Sequence, residues 1–144
     1  MAKSIIQEKT YAFASRMIKV YNYLTQEQRE FVLSKQVLRS GTSIGANVEE
    51  ALAAGSTADF VHKLTISAKE ARETSYWLRL LHDNSFLPPA AFASLHQENL
   101  EIIKILTSII LTAKNGKPND SELKSPNSHR PIQPPSTVRM VPCT

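Results

Sequence analysis

The sequence predicts an all-α protein: an antiparallel up-down-up-down four-helix bundle with a disordered C-terminal tail. Three observations predict it. Apolar residues recur at helical spacing in four long stretches, and strand-like alternation persists nowhere. Short breaks part these stretches, and short connections favour antiparallel neighbours. After Gly116 the composition turns to Pro, Ser and Asn and takes six of the eight prolines. Such a stretch buries too little apolar surface to offset its ordering entropy. One domain over residues 1–115 and a tail over 116–144 are therefore expected.

The first helix is expected from about Ser4 to Leu24. Ile6, Phe13, Met17, Val20 and Leu24 recur at threes, fours and sevens, which puts them on one face. Thr25, with Gln28 three residues on, reads as the N-cap of a second helix covering about Gln26 to Ala54. In that helix Val37, Gly41, Ile44, Val48 and Ala51 keep a heptad-type spacing. Gly41 and Gly45 each cost about 1 kcal/mol relative to alanine inside a helix. A break at Ser40-Gly41 with a loop through Gly45 is thus one reading. The register survives across both glycines, so a continuous helix is the preferred one. Glycines four residues apart would leave a groove where another helix comes close.

Gly55 and Ser56-Thr57 end the second helix and open the third, with Ser56 or Thr57 as N-cap and Asp59 at the positive helix end. The third helix is expected to reach about His82 on a seam of Phe60, Leu64, Ala68 or Ala71, Leu78 and Leu81. Asp83-Asn84 and Pro88-Pro89 form the next break. The fourth helix begins near Pro89 and continues to about Lys114, with Gly116 as its stop. Leu95, Ile102, Ile103, Leu106, Ile109, Ile110 and Ala113 supply its apolar stripe. That stripe is wider than one seam needs, which suggests burial against another subunit as well.

Charge and cysteine content narrow the function classes. The net charge is +4, with thirteen basic against eleven acidic residues up to position 115 and four against two beyond it. A near balance of signs more often marks a solvated helix face than a nucleic-acid surface. The lone cysteine, Cys143, excludes an internal disulfide and suggests no thiolate metal site. The N-terminus lacks a signal-peptide apolar core. The stretch Ile102 to Ala113 is too short and too interrupted to span a bilayer. A soluble cytoplasmic protein without a membrane partner is expected.

No catalytic motif stands out. His62, His82, His96 and His129 are scattered, and no HExxH, GxSxG or CxxC pattern occurs. Glu70 is followed at the third place by Glu73, and Glu73 by Tyr76, so the Glu-x-x-His pairs of a di-metal bundle are missing. No enzyme, no cofactor and no metal are expected. A structural polar network fits better. Ser40, Ser43, Asn47 and Glu50 form one stripe on the second helix, and Glu70, Glu73 and Trp77 another on the third. Arg39 is expected to pair with a carboxylate of the third helix, Glu73 above all, or of a neighbouring subunit. The functional competitor is sequence-tolerant nucleic-acid binding. Arg16, Lys19, Lys63, Lys69, Arg72 and Arg79 are candidate phosphate contacts. Tyr21, Tyr23 and Tyr76 are candidate stacking residues.

Three segments carry a family resemblance: FASRMIKVYNYL (Phe13 to Leu24), LRSGTSIGANVEEA (Leu38 to Ala51) and DFVHKLTISAKEARETSYWLRLL (Asp59 to Leu81). Together they closely resemble the four-helix-bundle proteins of the 23S rRNA intervening-sequence family, over about residues 10–112. The resemblance implies a bacterial source and a homopentamer. Some such relatives are encoded in insertions within large-subunit ribosomal RNA genes. Others are accessory proteins of diversity-generating retroelements, where the ring partners a reverse transcriptase and nucleic acid. The near-balanced charge departs from the strongly basic surface of that second group. The resemblance brings no catalytic residue with it. The expected function is a non-enzymatic homo-oligomer associating with RNA or DNA. The alternative is a scaffold or accessory subunit whose partner is a reverse transcriptase or another protein.

Overall fold

Ser4 starts the first helix: its backbone is extended and its hydroxyl accepts the Gln7 amide at 3.0 Å. The computed structural model describes residues 4–116, within which lie α1 (Ile5–Gln26), α2 (Leu33–Leu52), α3 (Thr57–Asp83) and α4 (Pro89–Lys114). The expected tail, with His129 and Cys143, falls outside the described residues apart from Gly116.

The first connection departs from the sequence expectation. Thr25 caps nothing; it sits in the last turn of α1, where its hydroxyl donates to the Tyr21 carbonyl at 2.9 Å. The second helix starts at Leu33, not Gln26. Arg29 takes a left-handed backbone conformation (φ 56°), and the Glu30 amide turns back to the Leu24 carbonyl at 2.8 Å. The Glu30 carboxylate then accepts the amides of Val32, Leu33 and Ser34 at 3.2, 2.8 and 2.7 Å. An anion placed there satisfies donors that a helix start leaves free and suits its positive end.

α2 runs unbroken through Gly41 and Gly45. The reason lies in α1. A Cβ at position 41 would sit 2.4 Å from Met17 Cγ and 2.7 Å from its Sδ. One at position 45 would meet the Thr10 carbonyl oxygen at 3.3 Å. The glycines give up some helix propensity, and the close approach of α1 offsets that cost. Ser56 caps α3 by accepting the Asp59 amide at 3.1 Å. Pro89 opens α4, and Gly116, at φ +82°, follows its last turn in the left-handed form that glycine takes freely.

Interhelical partners fix the topology. Met17 faces Gly41 while Thr10 faces Gly45, so α1 and α2 are antiparallel. Ser67 reaches Ile44 and Thr74 reaches Ser40, which sets α3 against α2. Ser75 meets His96 and Asn99 meets Ala71, which sets α4 against α3. α1 and α4 close the up-down-up-down bundle along its thinnest contact. Phe13, Met17, Leu24, Val37, Ile44, Val48, Leu78, Leu81, Ile102 and Leu106 are fully buried. Ala68 and Ala71 both lie in the core, whereas Phe60 is half-buried. On α4 only Leu95, Asn99, Ile102 and Leu106 are buried; Ile103, Ile109, Ile110 and Ala113 are half-covered. Among the described residues, no helix is long and apolar enough to cross a membrane.

Candidate functional site

The polar residues of α2 and α3 meet along their shared seam. Arg39 bridges two carboxylates of α3: its guanidinium donates to Glu70 at 3.2 Å and to Glu73. The Trp77 indole N–H also donates to Glu73, at 2.9 Å. Beside this pair, the buried Thr74 hydroxyl lies 2.8 Å from Ser40 Oγ and equally close to the Glu70 carbonyl. At the far end Glu50 pairs with Lys63 at 2.8 Å. The hydrogen bond and charge of Glu50 raise the Lys63 ammonium above the ordinary lysine value. Ser43 and Asn47 do not bridge helices. Ser43 donates to the Arg39 carbonyl at 2.7 Å and Asn47 to the Ser43 carbonyl at 2.9 Å, both within α2. Spacing alone put these two in the interhelical stripe, and their short side chains find the preceding turn first.

Three buried polar contacts escaped the sequence reading. Ser67 donates to the Ile44 carbonyl at 2.8 Å. Asn99 donates to the Ala71 carbonyl at 2.8 Å while its own carbonyl oxygen has no partner. Thr74 is the third. Ser67 and Thr74 stand seven apart with Ala71 between them, which is the signal that could have found them.

The six candidate phosphate contacts divide. Arg16 reaches across to α4, pairing with Glu98 at 2.5 Å and donating to Ser94 at 3.1 Å. Lys63 is held by Glu50. Lys19, Lys69, Arg72 and Arg79 pair with no carboxylate among the described residues. The candidate aromatics divide as well. Tyr23 packs against the core and accepts from Gln28 at 2.8 Å, and Tyr21 is half-buried. Tyr76 is 47 % exposed.

Where α3 meets α4, Phe92 stacks between two imidazoles, His82 at 4.4 Å and His96 at 5.0 Å between ring centroids. Ser75 Oγ lies 2.9 Å from His96 Nε2. Burial, and then the Arg79 charge, lower the His96 pKa below the ordinary imidazole value. The hydrogen bond between Ser75 and the imidazole ties the two helices together. Among the described residues no carboxylate pairs with His96, and the nearby Asp83 pairs with His82. Among the described residues, no three His, Cys, Asp or Glu side chains gather as metal ligands. A cleft between the α2–α3 turn and the end of α4 is lined by Thr57, Phe60, Ser108, Ile109, Thr112 and Ala113, with no ionisable group at its wall among the described residues.

The family model described as "23S rRNA-intervening sequence protein" matches residues 2–108. Five chains of solved structures are similar to this one. One is a protein of unknown function from the S23 ribosomal protein family of Bacteroides thetaiotaomicron, known from a crystal structure. It is 49% identical, with a TM-score of 0.73, over 74% of this chain and 98% of its own. No curated protein matches.

Proposed function

Because this chain belongs to the 23S rRNA-intervening sequence protein family, we propose that it is a non-catalytic homo-oligomer, a cytoplasmic pentamer, that associates with RNA or DNA through basic surface residues. The observation that carries the reading is that four of the six candidate cations, Lys19, Lys69, Arg72 and Arg79, pair with no carboxylate among the described residues. Unpaired cations on a helix surface attract phosphates without reading base sequence. Assembly has separate support. Tyr11 and Ile18 on α1, and Leu100 and Leu111 on α4, stand between 43% and 73% exposed. Apolar residues gathered on outward faces favour contact with further copies. A ring would multiply a modest basic patch by its subunit number.

A second reading keeps the assembly and drops the nucleic acid. It is favoured by Arg16 and Lys63, whose charges are already spent on Glu98 and Glu50. The ring would then serve as a scaffold or accessory subunit for a reverse transcriptase or another protein. Light scattering on the purified full chain separates oligomer from monomer, with a mass near five chains expected. The ratio of absorbance at 260 and 280 nm then separates the readings. Co-purified nucleic acid that high salt removes supports the first; a nucleic-acid-free pentamer that ignores added RNA and DNA at low salt leaves the second.

A further inference from the structure

We propose that the outward face of α3 formed by Lys69, Arg72, Tyr76 and Arg79 is a binding stripe for single-stranded nucleic acid, with three cations on phosphates and one base stacked on Tyr76. The proposal rests on the nucleic-acid reading above and gives it a place and a strand type.

Positions 69, 72, 76 and 79 follow three-four-three spacing, which confines them to an arc of about 80° on one side of a helix. The ten steps from Lys69 to Arg79, at 1.5 Å each, make the stripe roughly 15 Å long, enough to follow a few nucleotides. A solvated helix face ordinarily pairs its charges at the fourth place. Lys69 and Glu73 have that spacing, yet Glu73 is turned to Arg39 and Trp77 on the other flank. Glu70 is drawn the same way. Arg39 thus draws Glu70 and Glu73 aside, Asp83, four residues after Arg79, is paired with His82 at 3.1 Å, and Lys69, Arg72 and Arg79 pair with no carboxylate among the described residues.

Tyr76 lies amid these cations and is 47 % exposed. Trp77 meets its ring edge-on at 5.0 Å, and the Arg79 guanidinium lies 5.9 Å from its centre. The ring is thereby steadied rather than free to sweep, so stacking a base on it costs less ordering. Base faces are hidden within a duplex and available in a single strand, which selects the strand type.

The test is fluorescence anisotropy of the full chain with labelled oligouridine and oligothymidine of about 12 nucleotides, read across a salt series. The combined Lys69→Ala, Arg72→Ala and Arg79→Ala variant should bind at least about tenfold more weakly. It should also lose about two units of slope in log affinity against log salt, the value for three phosphates on a single strand. Tyr76→Ala should weaken binding about tenfold, the scale of one stacked base, and Tyr76→Phe should restore it. Circular dichroism checks that each variant is folded. If the variants bind like the parent while Arg16→Ala with Lys19→Ala does not, the stripe is wrong and nucleic-acid association survives on α1. If the parent binds neither oligomer at low salt, stripe and proposed function fall together. A duplex bound as tightly as a single strand overturns the strand assignment. A changed light-scattering mass in the triple variant overturns the stripe as a binding site, because the face is then a subunit contact.

Discussion

A single methyl group at position 41 would meet Met17 at less than van der Waals distance, so the α1–α2 spacing depends on a missing side chain. Gly41→Ala gains about 1 kcal/mol of helix propensity and meets overpacking that costs about 1–3 kcal/mol. We expect a net destabilisation of about 1 kcal/mol in urea denaturation. Gly55→Ala, with nothing within 4 Å of the added carbon, should lose no stability. Equal midpoints for the two variants would show that α1 can retreat at no cost. His96 supplies a second residue-scale expectation. Its folded pKa lies below the ordinary 6.5. Its contribution is therefore complete above that value and is lost as pH falls through the lowered one. Arg79 and Ser75 face it from α3, Phe92 stacks on it from α4, and the His82–Asp83 pair lies beyond Phe92. Melting temperatures between about pH 7.5 and pH 5 should fall further for the parent than for His96→Gln, which keeps an acceptor for Ser75. Matching pH slopes would remove His96 as the cause.

At the scale of the elements, helix existence was legible and one boundary was not. The heptad-type run Val37, Gly41, Ile44, Val48 and Ala51 lies on the buried face of α2, and Ser34, Ser40 and Gly45 are buried beside it. The start of α2 was hidden because Thr25 and Gln28 imitate a capping box, while the working cap, Glu30, acts through a left-handed residue that no periodicity reveals. The α2–α3 seam was legible in part. Arg39, Glu70 and Glu73 are long enough to reach between helices, so their spacing was informative. Ser43 and Asn47 bond within their own helix, and Ser67, Thr74 and Asn99, which spacing did not single out, are buried once the helices pack. Asn99 is the most exacting of these, fully buried with an unpaired carbonyl oxygen. An unpaired buried acceptor costs about 1–3 kcal/mol. Replacing it with an apolar group of similar volume removes that cost. Asn99→Leu should therefore be neutral or stabilising by up to about 1 kcal/mol, and Asn99→Asp destabilising by 3 kcal/mol or so, once a charge is buried there. Chemical denaturation curves decide both. A large loss in Asn99→Leu would mean that the Ala71 contact outweighs the orphaned oxygen.

For the whole molecule, the antiparallel order followed from four periodic stretches and short breaks, because neighbours joined by a few residues have little choice but to fold back. The candidate nucleic-acid surface was less legible. Six cations on two helices look alike in a sequence, and only packing shows that Arg16 and Lys63 are spent on carboxylates. The ring of contacts around the bundle is also uneven. α2 and α3 share the most extensive interface, and each has a second close neighbour. α1 and α4 meet along a thin seam crossed by Lys9–Glu101 at 3.3 Å and Arg16–Glu98. Ion pairs of this exposure are screened by salt, whereas apolar interfaces are not. The native state therefore has a preferred place to open. Amide hydrogen exchange should be slowest in α2 and α3. Raising the salt concentration should speed exchange in α4 while α3 stays protected, as if the last helix were a door hung on its neighbour and held shut by charge.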